Sequence, residues 1–249
     1  MDRRSFLLGS GLTAAGLIGT WIGQPRRADA AEIPDRSTLA SQESIRSCRP
    51  LDPLVALMEG NERFAKAWQE ENAAPNMAAR AMAMAGVWTD TCFLPADLLA
   101  NDQAPWAAIL SCADSRVSPE WVFDAAPSDL FVIRSAGNTA FDDAVASLEY
   151  SVGVLDTPLI MVMGHSGCGA VKAARNAAPL TPLLEQLVTP IRDSTRSGED
   201  LEAAIKANAR SASQQLTQRS TVLAKAVQNN QLSIVVSYFD IQSGTVTLI

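Results

Sequence analysis

The chain has a single histidine, His165, among 249 residues, only four cysteines, two tyrosines and no run of basic residues. One imidazole excludes the metal sites that are built on three histidines. A net charge of −7 without a basic stretch argues against nucleic acid or an anionic membrane surface as a partner. No internal repeat appears, so one domain is the expected organisation. The proportions of apolar (47%) and charged (19%) residues are ordinary for a globular protein with a sizeable core.

The first thirty residues read as a removable address rather than as fold. Arg3 and Arg4 are followed by Phe6 and Leu7, then by an apolar stretch to about Gly23, with small residues at Ala28 and Ala30. The pattern fits a twin-arginine export signal over residues 1–30. The apolar run is short and glycine-rich for a span, which needs about 20 predominantly apolar residues. No stable membrane span is expected after cleavage, and the expected destination is the periplasm, or a thylakoid lumen if the source has thylakoids. Residues 31–52 are polar and aperiodic and read as an extended arm.

From residue 53 to 249 the patterning alternates between helix and strand. Helices are expected at 53–69, 79–87 and 142–155, and across 170–228 with breaks near 179–182 and 194–198. Strands are expected at 107–111, 130–135, 159–164 and 233–238. Gln242, Ser243 and Gly244 then turn the chain into a last edge strand. This is an α/β pattern: a mainly parallel central sheet flanked by helices, closed by an antiparallel edge strand at the carboxyl terminus.

Two segments carry the chemistry, SCADSRVSP at Ser111–Pro119 and GHSGCGAV at Gly164–Val171, each following an apolar run of strand type. If both runs are parallel strands of one sheet, Cys112, Asp114 and Arg116 emerge at the same edge as His165 and Cys168. Two thiols and one imidazole fit a zinc ion with a fourth position open, the arrangement of catalytic rather than structural zinc. Cysteine is also a common core residue, and a lone His-x-x-Cys says little. Both cysteines lie just past strand ends, however, and the only histidine stands three positions from one of them, which core packing alone does not predict.

CADSRV, FVIRSAGN, SLEYSVGVL and GHSGCGAV, in that order and spacing, resemble the β-class carbonic anhydrases. ALMEGNERF at 56–64 and DQAP at 102–105 resemble the start of that family's fold, and SYFDIQSGTVTLI at 237–249 resembles its closing strand pair. The resemblance implies reversible hydration of CO2 to bicarbonate and a proton. Zinc would be held by Cys112, His165 and Cys168, and would lower the pKa of a bound water so that hydroxide attacks CO2. Asp114, paired with Arg116, would orient that hydroxide. In closed forms of the family the matching aspartate becomes a fourth ligand, so Asp114 stands among both the catalytic and the metal-binding residues. Gln103, nine residues before Cys112, matches a glutamine that hydrogen-bonds the substrate. Phe131 and Tyr150 match residues lining the CO2 pocket, and Gly169 matches a glycine whose amide faces the ligand. Family pockets draw on two subunits, so a homodimer or a dimer-based higher oligomer is implied.

Three departures stand out. Ser135 occupies a place where asparagine is common. Ile109 stands where a tryptophan contributes to the bicarbonate regulatory pocket of some members, which argues against that pocket. The export signal is unusual for a largely intracellular family. Hydrolysis of CS2 or COS, or zinc binding without turnover, are the alternative functions. Cys48 and Cys92 remain: in an oxidising compartment they are expected to bridge and staple the arm to the body, with free thiols as the alternative.

Overall fold

In the computed structural model, residues 45–88, 92–176, 178–196 and 198–249 are described. The expected signal at 1–30 and residues 31–44 of the expected arm lie outside them. The end of the arm is anchored to the body of its own chain. Ile45 is buried, Arg46–Cys48 forms a 3-10 turn, and Cys48 is disulfide-bonded to Cys92, with the Cα atoms 5.6 Å apart.

Helix α1 (Pro53–Ala73) begins where Asp52 accepts hydrogen bonds from the amides of Leu54 and Val55 and Pro53 occupies the first turn, both favourable starts. It buries Leu57, Gly60, Asn61 and Phe64, a helical stripe at intervals of three and four. A short α2 (Met77–Met84), capped by Asn76, and α3 (Ala96–Leu99) lead to β1 (Ala107–Cys112). Then follow α4 (Pro119–Val122), β2 (Leu130–Ser135), a 3-10 turn at Ala136–Asn138, α5 (Asp142–Gly153) and β3 (Leu159–His165). Helices α6 (Gly169–Ala174), α7 (Pro182–Ser194), α8 (Leu201–Arg219) and α9 (Thr221–Gln228) precede β4 (Ser233–Asp240) and β5 (Thr245–Leu248).

The strands form one sheet in the order β2-β1-β3-β4-β5. β1 to β4 run parallel, with Cys112 beside Ser135 and His165 beside Phe239, and β5 pairs antiparallel with β4. The expected architecture is therefore the observed one. Every residue of β1 and β3 is buried, as in parallel strands covered on both faces. One face packs Leu110, Ile160 and Val162 against Leu148 of α5, Ala209, Ala212 and Leu216 of α8 and Leu223 of α9. The other packs Ile109, Met161, Met163 and Phe239 against Leu57 and Phe64 of α1 and Val122 of α4. Each such fully buried aliphatic side chain contributes roughly 1.5–3 kcal/mol relative to exposure.

The helical stretch after Cys168 breaks at the two expected places and at a third. Ser220 adopts extended φ/ψ and its hydroxyl accepts from the Leu223 amide, ending α8 and starting α9. Among the described residues no helix is long and apolar enough to cross a membrane.

Candidate metal centre

Cys112 is the last residue of β1 and His165 the last of β3, two parallel neighbours, so the register places both at the carboxyl edge of the sheet. The chain returns to that edge two residues beyond His165 because Gly167 adopts φ 69°, a left-handed conformation that costs glycine little. Cys168 then stands immediately before α6, at its N-cap position. Its sulfur lies 4.0 Å from that of Cys112, and one ligand atom from each of Cys112, His165 and Cys168 lies within 4.8 Å of the others. A tetrahedral zinc with Zn–S bonds of ~2.3 Å has an S···S edge of about 3.8 Å, so these sulfurs stand at nearly the spacing a shared ion requires.

The imidazole is prepared in the same way. His165 is fully buried, its Nδ1 lies 3.0 Å from the Ser166 carbonyl, and its Nε2 has no hydrogen-bond partner. Donation from Nδ1–H to that carbonyl selects the tautomer whose Nε2 lone pair is free. A buried, unpartnered acceptor facing two thiols is costly unless something binds it. The three residues thus fit a soft divalent cation such as zinc, with room for one further ligand.

One hydrogen bond between the two sulfurs shifts their titrations in opposite directions. The hydrogen bond from Cys168 pushes the Cys112 thiol well below its ordinary value, against its burial, and the Gly137 amide adds to the effect. The same bond, together with burial, pushes Cys168 up. The first proton of the pair is thus lost more easily, and the second less easily, than from an isolated thiol, and a bound cation would displace both.

Asp114 and Arg116 follow Cys112 in the loop after β1. Arg116 donates from Nε to Oδ1 at 2.9 Å, from Nη2 to Oδ2 at 2.7 Å, and from its amide to Oδ1 at 3.0 Å. This guanidinium fork holds the Asp114 carboxyl far below the usual carboxylate range. Asp114 Oδ2 also lies 3.9 Å from His165 Nε2. The carboxylate therefore borders the cluster, ionised and engaged by Arg116, and is not itself one of the converging ligand atoms.

Three further residues support the site; Gly137 and Arg134 lie in FVIRSAGN, whereas Asn208 carries no sequence signal. Gly137, in the turn after β2 with φ 74°, donates its amide to Cys112 Sγ at 3.2 Å. Asn208 of α8 holds that turn by donating to the Gly137 carbonyl at 2.8 Å. Arg134 donates to the carbonyls of Cys112 at 3.2 Å and Asp114 at 2.8 Å, bracketing the loop that carries both. Ser135, noted as a departure, bonds the Thr139 carbonyl and hydroxyl at 3.1 Å and 3.0 Å and so braces the same turn. Ile109 is buried in the core.

The remaining expected site residues divide. Gly169 opens α6 beside Cys168, and a side chain added there would meet nothing within 4 Å, so its face is open. Gln103, Phe131 and Tyr150 are not brought to the cluster within one chain. Gln103 is exposed and precedes β1, whose length of about 17 Å separates its ends. Phe131 pairs in register with Ala108 near the start of β1, and its ring lies 6.2 Å from that of Tyr150, which is 46% exposed. All three sit toward the amino edge of the sheet, opposite the cluster.

A family profile described as Carbonic anhydrase matches residues 107–246. Carbonic anhydrase 2 of Mycobacterium tuberculosis is 41% identical over 125 residues, covering 50% of this chain and 52% of that protein. The chain thus spans about half the length of that relative. The carbonic anhydrase of Mycolicibacterium smegmatis is 33% identical over 162 residues, covering 60% of this chain and 77% of the relative. Among solved structures, a Coccomyxa β-carbonic anhydrase in complex with acetazolamide aligns with a TM-score of 0.56 at 26% identity, over 69% of this chain and 81% of that one. The matched segment contains all three converging ligand residues and the Asp114–Arg116 fork, and on this evidence the chain belongs to the carbonic anhydrase family, in its β class.

Proposed function

We propose that this protein uses zinc, held by Cys112, His165 and Cys168, to interconvert CO2 and water with bicarbonate and a proton. The observation that carries the reading is the buried, unpartnered Nε2 of His165 facing two sulfurs, with an ionised carboxylate at its side. Zinc bound there would acidify a water and so make a nucleophile available near neutral pH. Asp114 supplies an acceptor oxygen that stays ionised because Arg116 grips it, and an acceptor so placed orients a donor beside the metal. Arg134 and the Gly137 amide keep Cys112 and that loop in position.

The active unit is a homodimer or a dimer-based oligomer in which Gln103, Phe131 and Tyr150 of one chain complete the pocket of the other. What supports this is their place at the amino edge, exposed or half-exposed, away from their own cluster. The protein is exported with the segment 1–30 as a twin-arginine signal. The Cys48–Cys92 bridge supports that reading, because disulfides persist in oxidising compartments.

Stopped-flow CO2 hydration by the zinc-loaded protein is the decisive experiment. Hydration that disappears on chelation and returns with zinc is the expected result. Hydrolysis of CS2 or COS without CO2 hydration would replace the reading, and stoichiometric zinc with neither activity would leave a binding protein in its place.

A further inference from the structure

The segment that carries Gln103 is gripped by one residue of the arm. Arg49 donates from Nε to the Ala104 carbonyl at 3.1 Å, and from Nη2 to the carbonyls of Pro105 at 3.0 Å and Leu155 at 2.7 Å. Its Nη1 donates to the Asp156 carbonyl at 3.1 Å. One guanidinium, by spreading its planar set of donors over four carbonyls, ties the approach to β1 to the turn before β3. Arg46 adds an ion pair with Asp156 at 2.5 Å. On the far side of the gripped segment, the Ala104 amide donates to Ser128 Oγ at 3.1 Å, so residues 104 and 105 are held from two directions.

Among its described residues the arm has little regular structure to hold Arg49 in place, its other anchors being the buried Ile45 and the start of α1 at Pro53. Residues 46–48 make a single 3-10 turn that buries none of its own side chains, and Leu51 is fully exposed. Immediately before Arg49, Cys48 is joined to Cys92, a covalent tie across 44 residues of sequence. Without the bridge the arm gains conformational freedom, and a long side chain making four hydrogen bonds gives up more freedom to keep them.

We propose that the Cys48–Cys92 disulfide, acting through Arg49, sets the position of Gln103 and so makes substrate binding sensitive to redox state. The inference rests on the reading above that Gln103 contacts substrate. Oxidised, the clamp holds Ala104 and Pro105, and through them the adjoining Gln103. Reduction by a dithiol runs by exchange: its thiolate attacks one sulfur and breaks the S–S bond, and its second thiol displaces the mixed disulfide. Cys48 and Cys92 are left as thiols and the reductant as its cyclic disulfide. Arg49 then has a loosely tethered backbone, and the Gln103 segment loosens with it. Displacing a substrate-orienting group by about 1 Å is enough to weaken its contribution strongly.

The test compares oxidised and dithiol-reduced full-length protein at equal zinc content, confirmed by metal analysis, with alkylation showing which cysteines are free. Amide hydrogen exchange at Ala104 and Trp106 should rise about tenfold on reduction. The KM for CO2 should rise severalfold, with a smaller change in kcat. Cys92→Ser should reproduce both effects without reductant, which guards against zinc loss to the dithiol. Arg49→Lys, which keeps the charge but loses the fork, should show both effects in the oxidised state and then respond little to reduction. Equal exchange and equal KM in the two redox states would overturn the proposal, as would an Arg49→Lys protein that still responds fully. Faster exchange with unchanged KM would overturn the link to substrate binding. Absence of CO2 hydration in every state would instead fault the functional reading, with the exchange data still deciding whether the clamp exists.

Discussion

At the carboxyl ends of β1 and β3 the functional side chains are engaged within the chain: His165 and Cys112 are buried, Cys112 accepts from the Gly137 amide, and the half-buried Asp114 lies in the fork of Arg116. At the amino ends of β1 and β2, Gln103 is exposed and Tyr150 stands 46% exposed beside Phe131. The same sheet thus carries one set of groups that converge within the chain and another that, among the described residues, lies away from them. Rigid strand ends can hold a metal alone, because parallel register brings their last residues together. The opposite edge presents groups outward, where another copy can use them.

That contrast is broken most severely at the carboxyl edge. Cys112→Ser, His165→Ala or Cys168→Ser should each remove the metal and abolish hydration. Each replacement leaves only two of the three donors, and the two sulfurs no longer share a cation. Metal analysis of the purified variants checks this, and stoichiometric zinc in all three would refute the ligand assignment.

Asp114→Ala comes next. It should retain zinc yet lower kcat/KM by about 10²–10³, the usual cost of losing one oriented polar partner at a reacting centre. Arg116→Ala should follow it, since without the fork the carboxylate loses the donors that hold its pKa down and its oxygens in place. Retention of full activity by Asp114→Ala with zinc bound would show that the carboxylate only borders the site.

How much of this was legible in the sequence differs between the two edges for a physical reason. The ligand trio was readable because each member lies at a strand end or three residues beyond one, so local pattern and parallel pairing suffice. The strands themselves were readable because burial on both faces demands continuous apolar runs. Gln103 stood out only by resemblance, and its nearness to Cys112 in sequence misleads, because a strand between two residues keeps them apart. Asn208 was illegible: it reaches the Gly137 carbonyl from a position 71 residues further along the chain. The break at Ser220 was also missed, because apolar spacing continues through it and only the hydroxyl cap on Leu223 reveals it.

The amino edge offers a smaller but more discriminating effect. Gln103→Ala should keep zinc and lose about 5–10-fold in kcat/KM, the worth of one hydrogen bond to substrate. If Gln103 serves the partner's pocket, mixing Gln103→Ala with inactive Cys112→Ser chains under conditions of subunit exchange should raise activity severalfold above the sum of the separate preparations. In a mixed dimer, the cluster of the first chain meets an intact Gln103 from the second. Strict additivity after exchange would place Gln103 with its own cluster or with none.

The mildest effect comes from the scarcity of histidine. Each hydration cycle releases a proton, and an imidazole is the side chain whose ordinary pKa best suits its relay at neutral pH. The only imidazole, His165, donates through Nδ1 to Ser166 and turns Nε2 toward the two sulfurs. Asp114 cannot take its place, because the Arg116 fork holds that carboxyl well below the range in which it would accept a proton at neutral pH. Delivery to external buffer should therefore limit turnover. At fixed pH and ionic strength, kcat should rise with the concentration of an imidazole-type buffer and then level off, while kcat/KM, which reports the CO2 step, stays flat. A kcat independent of buffer would show that the carboxyl edge contains its own proton route, and the contrast between a completed metal site and its unfinished surroundings would then have to be redrawn.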